Sequence, residues 1–151
     1  MKPKIPPLLL TGMIAVLAWA VAKVLPGGAF AFPGQTFASL VLAICGAITC
    51  GMGVMTFRRA GTTMNPTKPN QASLLVTTGI YGISRNPMYL GFLALLIGWS
   101  LYLANAVALI LVPIGFVAYM NRFQIAAEER ALKALFGDEY VSYARRVRRW
   151  L

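Results

Sequence analysis

The chain has 151 residues, 58% hydrophobic and 12% charged, with a formal charge of +10 from 14 Lys and Arg against 4 Asp and Glu. Its apolar residues gather in long runs, which excludes an ordinary soluble domain: hydrocarbon about 30 Å thick needs about 20 helical residues per crossing, so the length holds roughly four spans and a short tail. In that setting the basic excess sets topology and meets anionic headgroups rather than nucleic acid. The lack of histidine, with Cys45 and Cys50 both inside an apolar run, argues against a metal site, a histidine-based triad and a disulfide framework.

The expected architecture is an all-α membrane protein forming one integral membrane domain over residues 1–151. Lys2 and Lys4 precede an apolar run from Leu8 to Leu25, which reads either as a first span or as a signal peptide with an A-x-A-like site at Ala29-Phe30-Ala31. Its length favours a span over residues 8–25. Pro26-Gly27-Gly28 and Pro33-Gly34 mark a loop, and a second span covers about 36–57. Gly46, Cys50, Gly51 and Gly53 within it allow a neighbouring helix to approach closely.

Residues 58–86 form the longest polar stretch, where Asn65-Pro66 and Lys68-Pro69 oppose regular helix. Two segments are too apolar for a simple solvated linker. Thr62-Thr63-Met64-Asn65-Pro66 suits a folded lid, and Leu74 to Tyr81 is expected to dock against the membrane surface, with Gly79 making a turn. The stretch ends at Arg85-Asn86-Pro87-Met88-Tyr89-Leu90-Gly91, where Asn86 is placed to cap a helix and Pro87 to start it.

Spans three (about 87–103) and four (about 106–123) are joined by a connection so short that they must form an antiparallel hairpin. Pro113 and Gly115 are expected to bend the fourth span, while Trp99, Tyr102 and Tyr119 suit headgroup depth. This arrangement puts Lys2, Lys4, Arg58, Arg59, Lys68, Arg85, Arg122 and the C-terminal basic cluster on one side, with Lys23 alone on the other. The positive-inside rule then places both termini in the cytoplasm, in a cell (inner) membrane.

The tail, about 125–151, begins with Glu128-Glu129 and continues with Leu132, Leu135 and Phe136 at helical spacing up to Gly137. After Asp138, the residues Tyr140, Tyr143, Ala144 and Val147 form one helix face, and Arg145, Arg146, Arg148 and Arg149 crowd the later turns. Such a basic amphipathic helix is suited to an anionic membrane surface.

All four acids lie in this tail, and Glu128-Glu129 are the only pair beside a membrane helix. A solvated pair balancing Arg122 and Arg130 is the plain reading. The functional one makes a carboxylate the site of a cation, with Arg85 in the same layer holding a carboxylate or phosphate, so that the pocket suits a zwitterionic ligand. No G-x-G-x-x-G turn, Walker loop or activated nucleophile accompanies it. A small transporter or channel subunit is the rival class, disfavoured because the interiors of spans two to four lack ionisable acids and bases.

Val76-Thr77-Thr78-Gly79-Ile80-Tyr81, Arg85-Asn86-Pro87-Met88-Tyr89-Leu90-Gly91, Glu128-Glu129-x-x-Leu132, Phe136-Gly137-x-x-Tyr140-x-x-Tyr143 and Val147-Arg148-Arg149-Trp150-Leu151 occur in this order. Over about residues 55–151 the chain thereby resembles the isoprenylcysteine carboxyl methyltransferases and their relatives, the phospholipid methyltransferases. The resemblance implies an integral membrane methyltransferase that uses S-adenosylmethionine, with S-adenosylhomocysteine as product, and a lipophilic acceptor entering from the bilayer. It implies catalytic roles for Arg85 and Glu128, and a cofactor pocket drawn from Val76, Gly79, Tyr81, Asn86, Pro87, Tyr89, Leu90, Glu128, Glu129 and Tyr140. Asn86 stands where the eukaryotic carboxyl methyltransferases have His; it keeps capping and hydrogen bonding but cannot titrate near neutral pH. Membrane sterol reductases are similar in helix arrangement, but a phosphorylated dinucleotide should need more basic residues in the pocket than Arg85 alone.

Overall fold

A computed structural model describes residues 5–61 and 74–151. The Thr62 to Pro66 lid segment with its Asn65-Pro66 step, the Lys68-Pro69 step after it, Lys2 and Lys4 lie outside the described residues. The four apolar runs become helices α1 (Pro7–Val24), α2 (Gln35–Arg59), α3 (Pro87–Tyr102) and α4 (Ala106–Tyr119). A π-helical turn, Met120–Ile125, carries α4 without a break into α5, Ala126–Arg146. Two single 3-10 turns, Pro26–Gly28 and Gly79–Gly82, lie in the connections. Among the described residues there is no strand, only an isolated bridge between Ala29 and Asn105.

Helices α1, α2 and the continuous Ala106–Arg146 helix are long and apolar enough to cross a membrane, and α3 is a shorter apolar helix. At 1.5 Å per residue the 16 residues of α3 reach about 24 Å, short of full hydrocarbon thickness. Large side chains such as Val16 and Leu17 on α1, Ile44 and Ile48 on α2, and Ile110 and Ile114 on α4 are exposed. An apolar surface of this extent fits lipid rather than water as the solvent.

Helix α3 is the centre of the bundle. Against α2 it packs backbone to backbone: a Cβ on Gly91 would lie 2.5 Å from Cys50 Sγ and 2.7 Å from the Gly46 carbonyl, so neither glycine can carry a side chain. Its other side meets α1 and α4 through Ala18, Leu96, Val112 and Phe116, a core that continues into Met120 and Ile125 of the π turn.

The α3–α4 hairpin is as tight as expected, with Ala104 at φ 55 in its turn. Asn105 caps α4 by accepting from the Ala108 amide at 3.0 Å, and its Nδ2 donates to the Leu25 carbonyl at 2.9 Å. The Phe30 amide donates to the Ala104 carbonyl at 2.9 Å, so the α1–α2 loop is latched onto this turn.

Two expectations are corrected at the opposite end. Asn86 occupies the N-cap position of α3 but makes no side-chain cap; its amide is committed elsewhere. The tail does turn at Gly137, at φ 50 and ψ −123, yet its apolar face is not free for the membrane. Tyr140, Tyr143 and Val147 are buried with Leu75, flanked by Leu132, Phe136 and Ala144. The segment from Leu74 to Tyr81 therefore docks on the tail, because each supplies the apolar surface the other must cover.

Candidate active site

The site forms where the start of α3, the π turn and the tail meet. The Arg85 amide donates to the Arg148 carbonyl at 3.0 Å, and Asn86 Nδ2 donates to the Arg149 carbonyl at 2.9 Å. The last residues of the chain are thus drawn back onto the mouth of α3. Trp150 Nε1 donates to Asn121 Oδ1 at 3.1 Å, which ties the same segment to the π turn.

Inside this junction, Glu129 lies between two guanidinium groups. Arg85 Nη1 is 3.1 Å from its Oε1, and Arg149 grips both oxygens, Nε to Oε1 at 3.0 Å and Nη2 to Oε2 at 2.6 Å. A paired, planar grip is the strong geometry for Arg and carboxylate. The hydrogen bond to Glu129 pushes the Arg149 guanidinium up from its already high value. Arg85 Nη1 also donates to the Tyr140 hydroxyl at 3.0 Å, while Arg85 Nε is buried without a partner among the described residues. Two arginines against one glutamate leave the cluster with a surplus positive charge and a free donor.

Glu128, one residue earlier, faces the other way. Tyr89 Oη donates to its Oε1 at 2.5 Å, and Gln124 Nε2 donates to the same oxygen at 2.6 Å. Burial pushes the Glu128 carboxyl up to about 7, partly opposed by these two hydrogen bonds and reinforced by Glu129. One glutamate is thereby held by cations while its neighbour, beyond the end of the fourth apolar run, changes charge near neutral pH.

Beside the Arg85–Glu129 pair opens a groove of about 470 Å³, whose walls include Arg85, Glu129 and Tyr140 together with the basic Arg130, Lys133 and Arg145. The structure brings the expected residues into two adjoining networks: Arg85, Asn86, Glu129 and Tyr140 are linked through Arg85 and Arg149, and Tyr89 is bonded to Glu128. Tyr81 joins indirectly, its carbonyl accepting from Tyr143 Oη at 2.7 Å. Burial pushes the Tyr143 hydroxyl up to about 12. Tyr81 itself packs edge-on against Phe57, with ring centroids 5.1 Å apart.

The remaining expected residues shape the backbone. Gly79 takes φ 59 at the 3-10 turn, as its turn role requires. Pro87 starts α3, the Leu90 amide donates to the Asn86 carbonyl in the first turn, and Val76 is buried. None of these four places a polar side chain in the cluster.

Two contributors escaped the sequence, Gln124 and Arg149, whereas Tyr143 was expected beside Tyr140, either over the cofactor or packing the tail. Gln124 and Glu128 are four apart and share a helix face, which is a usable signal once the helix is known to run through both.

These features define a helical membrane protein with a mixed-charge site at the mouth of a short central helix, built without a nucleotide-binding sheet among the described residues. The phospholipid methyltransferase family model matches residues 35–139, and the chain belongs to that family. Among similar proteins, an uncharacterized protein of Haemophilus influenzae is 50% identical over 64 residues, 42% of this chain and 100% of its own length. Protein-S-isoprenylcysteine O-methyltransferase B of Arabidopsis thaliana is 35% identical over 111 residues, 72% of this chain and 54% of its own. The Saccharomyces cerevisiae protein-S-isoprenylcysteine O-methyltransferase is 32% identical over 115 residues, 74% and 46% respectively. The chain spans about half the length of these two methyltransferases.

Proposed function

We propose that this protein transfers a methyl group from S-adenosylmethionine to a lipophilic acceptor at the cytoplasmic face of the cell membrane. The acceptor is either the carboxylate of an isoprenylcysteine-like molecule or a lipid amine. Family membership supports the reaction class, and one observation supports the site: Arg85 and Glu128, the two residues assigned to chemistry, meet at one junction but in separate environments. The groove beside Arg85 and Glu129 offers a basic wall of Arg85, Arg130, Lys133 and Arg145 to a carboxylate, and Glu128, outside the groove's lining, offers a carboxyl to a cation. Both fit S-adenosylmethionine, which carries a carboxylate, an ammonium and a sulfonium.

Bound there, S-adenosylmethionine supplies an activated methyl group, so the protein needs no nucleophile of its own. Its residues bind and orient. Arg85, braced by Glu129 and Tyr140, is a pre-set donor for an anionic group, whether on the cofactor or on a carboxylate acceptor. A carboxylate acceptor is already deprotonated at pH 7 and requires only alignment. An amine acceptor must shed a proton, and Glu128 is poised to take it. Asn86 holds the tail in place and supplies no acid or base. The acceptor reaches the site laterally from the bilayer, and the whole chain works as one membrane domain with both termini cytoplasmic.

Calorimetry on the purified protein tests the cofactor assignment. S-adenosylmethionine or S-adenosylhomocysteine should bind, and Glu128→Ala should weaken binding at least tenfold, about 1.4 kcal/mol. Undiminished binding in that variant would overturn the role given to Glu128.

A further inference from the structure

Gln124 is only 2% exposed, in a core shared with Phe116, Met120 and Ile125. A buried amide in such surroundings costs stability unless its hydrogen bonds are made. It lies in the π-helical turn Met120–Ile125, a departure from regular helix that recurs at functional sites. Its Nε2 donates to Glu128 Oε1 at 2.6 Å and lies 3.4 Å from Tyr89 Oη, which itself donates to the same Oε1. Both donors converge on one oxygen. Oε2 of Glu128 receives no hydrogen bond among the described residues, and Glu128 is half-buried, so the carboxyl presents a single open edge.

We propose that Gln124 is a positioning residue: its amide pins Glu128 Oε1 against the Tyr89 hydroxyl and leaves Oε2 as the edge that receives a cationic ligand. The π turn is the device that delivers it. A leucine or methionine would satisfy packing here, whereas only a neutral donor both fills the core and steadies a carboxylate without neutralising it by charge. The titratable groups acting on Glu128 are Tyr89 from α3, Tyr81 from the 3-10 turn and Glu129 from α5, and Arg85 reaches it only across Glu129. With no cation in direct contact among the described residues, the two neutral donors oppose the effect of burial, and losing one drives Glu128 toward its protonated form. Identifying the cation as part of S-adenosylmethionine rests on the proposed function. The positioning role does not.

The test follows the Glu128 carboxyl by infrared titration of the full-length protein in detergent, without ligand, its band assigned by loss in Glu128→Gln. In Gln124→Met, which keeps the side-chain volume, the titration midpoint should rise by about one to two pH units, the worth of a hydrogen bond to a charged group. Gln124→Leu serves the same purpose should the methionine variant not fold. An unchanged midpoint in the folded variant overturns the proposal. S-adenosylmethionine binding provides the second readout: Gln124→Met should bind about tenfold more weakly at pH 7 and recover in alkali, where Glu128 is charged again. Equal weakening at both pH values would mean a packing role only. If the unaltered protein fails to bind S-adenosylmethionine, the cofactor reading falls, and the infrared midpoint still decides the role of Gln124.

Discussion

Glu128 and Glu129 are adjacent in sequence and opposite in chemistry. Glu129 is held by Arg85 and Arg149, with side chains 15% and 39% exposed against its own 22%, so it acts as a fixed negative brace between two cations. Among the described residues Glu128 has only neutral donors, and burial lifts it from the usual 4.5 to about 7. The folded state therefore holds a proton that the unfolded chain gives up between those values, and this contribution to stability falls as pH rises from about 4.5 to about 7, then stays level. The thermal midpoint in detergent, followed over that range, should fall more steeply in the unaltered protein than in Glu128→Gln. Parallel curves would mean that Glu128 is not the titrating group. That Arg85 and the Glu128-Glu129 pair face one pocket was legible in the sequence, because few other charges were available, but the direct pairing of Arg85 with Glu129 was not, since a ligand carboxylate was the expected partner. Nor was Arg149 legible, being one of four arginines in the run from Arg145 to Arg149, and only the returning tail selects it.

Helix α3 positions the site because α2 on one side and α1 and α4 on the other leave it almost no freedom. The α2 contact depends on glycine at two facing positions, and Gly91→Ala should cost about 1–3 kcal/mol through overpacking against Cys50 and the Gly46 backbone. Gly51→Ala, where a Cβ meets nothing within 4 Å, should leave stability unchanged or slightly raised. Melting both variants in the same detergent checks this, and equal effects would contradict the packing account. Gly46 was readable in advance as part of a small-residue stripe. Asn86 shows the limit of such reading: an Asn before a Pro at a helix start is a natural cap, yet its amide goes to the Arg149 carbonyl, 63 positions away, a partner no local pattern reveals. The unbroken passage from α4 through Met120–Ile125 into α5 was hidden for a related reason. The polar and charged residues from Asn121 and Arg122 to Glu128 mark where the apolar run stops, but backbone hydrogen bonding continues through them.

In the whole molecule, the fold is a frame that brings three remote stretches to one place: the segment from Leu75 to Tyr81, the mouth of α3, and the tail. The apolar runs made the helices evident, since a crossing helix must satisfy its backbone internally and carry apolar side chains throughout. Tail docking was less evident, because a basic amphipathic helix reads equally well as a membrane-surface element. Burial of Tyr140, Tyr143 and Val147 against Leu75 shows that its apolar face serves the site instead. The central claim is that this closed junction is a methyl-transfer site opening toward the bilayer. Purified protein in liposomes, given S-adenosylmethionine labelled in the methyl group together with either an S-prenylated cysteine or an amine-bearing phospholipid, tests it most directly. The account predicts label in the lipid-soluble product and its loss, by a hundredfold or so, in Arg85→Ala. Tight binding of the labelled donor with no label passing to either acceptor would contradict it.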